Sequence, residues 1–231
     1  MLQKPNVPVI ALEEHYADGE LYALFTGLDA ATPPHVVEKL KDTGEARLKD
    51  MDAAGIDVQV LSHSAPSLQK ISSGAVELAR RVNDRLAQIV STAPTRYAGF
   101  AALPTSDPTA AAEELARCVE KHATKFILGH LGEGLPFLLW RINNGLARPG
   151  QKPVQFRDIF SSHFSVTTSG FFSDPALLLC VQELGIDRIL FAVDYPFEAN
   201  APGPAWLARV PLCDEDKAKI ASGNAKRLLR L

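Results

Sequence analysis

The sequence predicts an α/β fold, a TIM-like (β/α) barrel with about six of the usual eight strands. Three observations carry this expectation. Short apolar runs alternate with stretches of helical periodicity along all 231 residues, the order of a parallel sheet with helices outside it. Acidic and histidine residues stand at the C-terminal ends of the first, fourth and sixth runs, where a barrel gathers reactive groups from several strands. The first run ends in Leu12-Glu13-Glu14-His15-Tyr16 with no GxGxxG, which argues against a dinucleotide-binding doubly wound sheet.

The elements follow in order. Val7 to His15 is an apolar run that turns abruptly polar, as a buried parallel strand does at its C-terminal end. Thr32-Pro33-Pro34 opens a helix with Val36, Val37 and Leu40 on one face, and a second helix carrying Leu48, Met51 and Ala54 stops at Gly55. Asp57–Leu61 is the second strand, followed by a polar loop to Ile71 that contains Ser62 and His63. Val76, Ala79, Val82, Leu86 and Val90 mark a long helix ended by Pro94. Tyr97–Leu103 is the third strand, and Ser106-Asp107-Pro108 starts a helix through Val119. The fourth strand is Lys125–His130. Then come one short helix around Leu138–Ile142, a Pro/Gly loop at Arg148–Gly150, a strand Phe164–Thr168, a helix Pro175–Leu184, a strand Arg188–Asp194 and a last helix Asp214–Leu229.

Composition bounds the function. With 46% hydrophobic and 22% charged residues the chain is neither disordered nor fibrous. A net charge of −3 is too balanced for a dedicated nucleic-acid or anionic-membrane binder. No run reaches the roughly 18 apolar residues of a membrane span, and the N-terminus lacks a signal-peptide pattern. A single cytoplasmic domain over 1–231, with no nucleic-acid or membrane partner, is the expectation. Cys118, Cys180 and Cys213 are widely spaced and odd in number, so they read as buried small apolar residues.

Glu13 and His15 lie two apart on one strand and so project to the same side, where a carboxylate and an imidazole can share one divalent ion. Asp194, ending the last strand before Tyr195-Pro196, is the natural third ligand. Each also has a plainer reading, as a solvated strand end or a turn-initiating Asp. His130 sits in Gly129-His130-Leu131-Gly132-Glu133, where glycine permits close backbone approach and Glu133 can orient the ring. It could serve as acid, base or ligand, or be structural. Arg141 could hold a substrate carboxylate or be an exposed helix Arg. Ser62, at the end of the second strand, is a second candidate for substrate contact. His35, His63, His122 and His163 show no partner pattern.

Taken together, Ile10-Ala-Leu-Glu-Glu-His15, Arg47-Leu-Lys-Asp-Met51 leading to Gly55-Ile-Asp57, Leu61-Ser62, Phe126-Ile-Leu-Gly-His130-Leu-Gly-Glu133, Thr167-Thr-Ser-Gly170 and Phe191-Ala-Val-Asp194-Tyr-Pro196 resemble the amidohydrolase-related carboxy-lyases. That branch contains the 2,3-dihydroxybenzoate, γ-resorcylate and aminocarboxymuconate semialdehyde decarboxylases. Glu13-x-His15 weighs most, because many other amidohydrolases begin with His-x-His. The resemblance implies a divalent metal, Zn²⁺ or Mn²⁺, on Glu13, His15 and Asp194. It implies His130 as the active-site histidine held by Glu133, and Asp194 as the group that protonates the ring carbon as CO₂ leaves. The implied substrate is a small aromatic or unsaturated carboxylic acid, and the implied assembly is a homo-oligomer.

The sequence departs from that pattern in three places. Two βα units, on the order of 60 to 100 residues, are missing near 120–125. The His-Pro that supplies a further ligand in the family does not occur, and Asn143-Asn144 stands where an Asp-His is usual. Two other readings therefore stay open: an amidohydrolase-type hydrolase of a lactone or amide, and a shortened chain that only binds.

Overall fold

The computed structural model describes residues 6–71, 73–118, 126–146 and 155–231. The expected junction near 120–125, with His122, and the loop at Arg148–Gly150 lie outside the described residues. All six expected strands are present: β1 (Ile10–Tyr16), β2 (Val58–His63), β3 (Tyr97–Gly99), β4 (Phe126–Leu128), β5 (Phe164–Thr167) and β6 (Ile189–Leu190). The helices are α1 (Gly19–Tyr22), α2 (Pro34–Lys41), α3 (Glu45–Ala54), α4 (Ala75–Thr92), α5 (Pro108–Cys118), α6 (Leu135–Leu146), α7 (Phe156–His163), α8 (Asp174–Leu184), α9 (Pro202–Arg209), α10 (Asp214–Ala218) and α11 (Asn224–Leu229). Among the described residues no helix is long and apolar enough to cross a membrane.

The strands form two parallel sheets, β1-β2-β3 and β4-β5-β6. Backbone hydrogen bonds stitch these together just past β6: Leu12 N–H donates to Phe191 O at 3.1 Å and His15 N–H to Tyr195 O at 2.6 Å. The spatial order is thus β4-β5-β6-β1-β2-β3, an arc whose edge strands among the described residues are β3 and β4. Alternation along each strand separates two apolar layers. Ile10, Leu12, Val60 and Leu190 face inward onto Ala225, Leu228 and Leu229 of α11. Val9, Ala11, Leu61, Val166, Ile189 and Phe191 face the outer helices.

Four expectations need correction. Gly55 does stop α3, in the left-handed conformation (φ 77°) that glycine adopts without steric cost. The last helix, however, is not continuous, because a π-helical segment at Lys219–Gly223 interrupts it. There Ile220 O accepts from Phe191 N–H at 3.2 Å, so the irregular turn serves the strand that leads to Asp194. Helices α1, α7 and α9 were not anticipated; each is eight residues or fewer, too short for a clear period. Cys118 and Cys213 are exposed, and only Cys180 is buried. His63 is not a loop residue but the buried end of β2, where its Nδ1 lies 2.9 Å from Ser64 O and its Nε2 accepts from Asp18 N–H at 3.0 Å. Burial holds its pKa below the usual histidine value, and that neutral form can satisfy both contacts.

Candidate active site

A bulge in β1 aims the first two donors. Ala11 pairs with Gln59 but Glu14 pairs with Leu61, so β1 carries one residue more than β2 between these points. Without it, Glu13 and His15 would point opposite to Ile10 and Leu12; with it, all four face the interior. Glu14 is turned into the outer layer instead and is fully buried.

His130 and Asp194 are presented by strained turns. Past β4, His130, Leu131 and Glu133 all have positive φ (50°, 52° and 54°), and Asp194 has φ 77°. Non-glycine residues in that region cost about 1 kcal/mol or more each, and such strain gathers at functional sites. Gly129 is required for a different reason, since a Cβ there would overlap the Glu13 carboxylate.

These turns bring Glu13, His130 and Asp194 together, with one ligand atom of each lying within 4.8 Å of the others. His130 Nε2 is 3.9 Å from Glu13 Oε1 and 3.6 Å from Asp194 Oδ2. His15 Nε2 is 3.1 Å from Asp194 Oδ1. The tightest group therefore contains His130 where the sequence reading put His15, and His15 flanks it through Asp194. Glu133 Oε1 lies 2.7 Å from His130 Nδ1. Ser62 Oγ lies 3.2 Å from His15 Nδ1, so it meets a ring rather than open space. Arg141 is exposed on α6 and takes no part in the cluster's hydrogen bonds.

Two hydroxyls that the sequence reading gave no role hold Glu13. Thr167 Oγ1 donates to Glu13 Oε2 at 2.5 Å and Ser169 Oγ donates to the same oxygen, leaving Oε1 to face His130. For His130, burial disfavours the imidazolium. The Glu133 hydrogen bond and the charges of Glu13 and Asp194 outweigh that, and its pKa is raised overall. Phe197 meets His15 edge-on at 5.5 Å and Phe171 lies 6.5 Å from His130, both half-exposed, giving the cluster apolar walls.

Two carboxylates and two imidazoles converge here, and among the described residues no Lys or Arg pairs with Glu13 or Asp194. Such an oxygen and nitrogen donor set suits a divalent ion of the manganese or zinc type.

Comparison with known proteins identifies the family. The amidohydrolase family profile matches residues 120–231. The γ-resorcylate decarboxylase of Rhizobium sp. (strain MTP-10005) is 31% identical over 320 aligned positions, covering 96% of this chain and 98% of the relative. The chain belongs to the amidohydrolase-related decarboxylase family. The aligned span exceeds the 231 residues present, so a long stretch of the relative's sequence has no counterpart here. Among solved amidohydrolase-related decarboxylases, a 2,6-dihydroxybenzoate decarboxylase complexed with 2,6-dihydroxybenzoate has a TM-score of 0.84 at 30% identity, covering 97% of this chain and 100% of that one. A dihydroxybenzoic acid decarboxylase from Polaromonas sp. JS666, with bound manganese and the inhibitor 2-nitroresorcinol, also has a TM-score of 0.84 at 30% identity, covering 97% of each chain.

Proposed function

We propose that this chain is a metal-dependent carboxy-lyase acting on a hydroxybenzoate-type acid, built on a (β/α) barrel over 1–231 that is shortened near 120–125. The observation that carries the reading is the convergence of Glu13, His130 and Asp194, with His15 beside them, under two aromatic side chains. Glu13 through Oε1, His15 and Asp194 would hold the ion. When bound, a divalent metal supplies a Lewis acid for the substrate's carboxylate and ortho oxygen.

The chain's own groups handle the proton. His130 Nε2, 3.6 Å from Asp194 Oδ2, can pass a proton to that carboxylate. The Asp194 carboxyl then delivers it to the ring carbon bearing the carboxylate. The bond to CO₂ breaks, its electron pair returns to the ring, and one proton is consumed per turnover. Glu133 keeps His130 Nε2 aimed at the carboxylates by occupying Nδ1. Ser62 is assigned to orienting His15 rather than to the substrate. Phe171 and Phe197 flank the space for the ring.

Metal content of the purified protein, with CO₂ release from 2,6- and 2,3-dihydroxybenzoate, tests this. Near-stoichiometric Mn²⁺ or Zn²⁺ with turnover supports the reading. Lactone hydrolysis without CO₂ release moves the chain to the hydrolases, and a folded protein with neither metal nor turnover leaves only binding.

A further inference from the structure

Behind the site, on the outer side of the sheet, lies a polar group that no step above uses. Arg47 of α3 and Glu14 of β1 are both fully buried. Arg47 Nη1 donates to the backbone carbonyl of His15 at 2.8 Å, and its Nε donates to Gln59 Oε1 at 2.7 Å. The guanidinium also stacks 4.7 Å from the ring centroid of Tyr195, the neighbour of Asp194. Gln59 Nε2 in turn donates to Glu14 Oε2 at 3.4 Å. The Glu14 carboxyl group accepts from Val193 N–H at 2.8 Å and from Tyr195 N–H at 3.2 Å, the N–H groups of the two residues that flank Asp194.

We propose that Arg47, Gln59 and Glu14 form a buried brace that positions His15 and Asp194 against each other, with Arg47 a positioning residue for the metal site. This rests on the reading of that site as a metal centre. The brace ends on the main-chain carbonyl of His15 and on the N–H groups of Val193 and Tyr195, the residues that flank Asp194, whose side chain lies 3.1 Å from that of His15. A buried charge is costly, and an apolar side chain of similar volume often fills such a space at no loss of stability. Arg47 carries that cost with its Nη2 unpartnered, so packing alone is a poor account of it. Asp194 sits in a left-handed turn, and Glu14 binds the residue on each side of it. Partners that orient ligands without touching the metal typically change affinity by about 10- to 100-fold when removed.

The test is Mn²⁺ titration calorimetry on wild type, Arg47→Met, Arg47→Lys and Gln59→Asn, with thermal unfolding of each metal-free protein. Arg47→Met should weaken Mn²⁺ binding about 10- to 100-fold. Arg47→Lys should recover little of this, since one ammonium cannot span both acceptors as the planar fork does. Gln59→Asn, shorter by one methylene and the variant least able to disturb folding, should weaken binding by roughly three- to tenfold, part of the effect of removing an orienting partner. Any folded variant of Arg47 or Gln59 that binds Mn²⁺ within about twofold of wild type, too small a change for an orienting partner, overturns the brace, even if its unfolding temperature has dropped. A wild type that binds no Mn²⁺ overturns the metal centre itself, and the brace with it.

Discussion

The seam where β1 meets the chain after β6 and the gap between β3 and β4 are opposite solutions to the same problem. At the seam, backbone hydrogen bonds run from Leu12 and His15 to Phe191 and Tyr195, and the interior residue Leu12 is 1% exposed. At the gap, no ladder joins β3 to β4 among the described residues, and a cleft of about 1450 Å³ opens between α5 and α7. Phe100, Ile127, Leu228 and Leu229, members of the interior layer, line it half-buried. Glu13, His15 and Asp194 stand at the seam in the middle of the arc, and His130 reaches them from its β4 end. The difference teaches that the site's geometry depends on the closed side, while the open side leaves interior side chains half-buried without dissolving the cluster.

The largest expected effect is at the seam. Asp194→Asn should cut CO₂ release from a dihydroxybenzoate by about 10³-fold or more, and His130→Ala by about 10²-fold, with far-UV circular dichroism unchanged. Equal activity in either variant would break the assignment of chemistry to this side.

Stability sharpens the contrast next. Leu12→Ala should cost about 2–5 kcal/mol in urea unfolding, as a truncation in a closed core does. Ala116→Ser, on the exposed wall of the cleft, should stay within about 0.5 kcal/mol. Comparable losses at both positions would mean that the cleft is filled in solution.

The seam also predicts a pH dependence. Burial pushes the Glu14 carboxyl up to about 8, from an ordinary 4.5. A group whose folded pKa is raised contributes its full stability below the unfolded value and loses it as pH rises through the folded one. Stability should therefore fall by about 3 kcal/mol between pH 5 and 8, and Glu14→Gln should flatten that slope in chemical denaturation. A wild-type curve that rises over this range would place Glu14 as a charged partner of Arg47 instead.

The smallest effect is steric. Gly129→Ala pushes the Glu13 carboxylate off its two hydroxyl donors, so Mn²⁺ binding should weaken by about tenfold with little change in unfolding temperature. Unchanged affinity would show that Glu13 can move freely.

Much of this was legible in the chain. The six strands were readable because buried parallel strands are unbroken apolar runs, and a run that ends in Glu-Glu-His or Val-Asp marks its own C-terminal end. The pairing of Glu133 with His130 was readable from spacing and from the glycines around them. Thr167 and Ser169 stand in a quoted motif, yet nothing local says that their hydroxyls meet a carboxylate more than 150 residues away in sequence. The burial of His63 is hidden in the sequence because it stands in a loop-like run of Ser, His and Pro.

The sequence by itself determined the alternation of elements, the residue types at the strand ends and the departure from the family's length, since periodicity, side-chain chemistry and chain length are properties of the chain. The tertiary structure alone decided which imidazole joins the tightest group, that a bulge turns Glu13 and His15 inward while Glu14 turns out, and that Arg47 reaches His15 from behind. The reason is geometric: one added residue in β1 reverses a period-two pattern, and contacts between distant segments depend on the packing of whole elements.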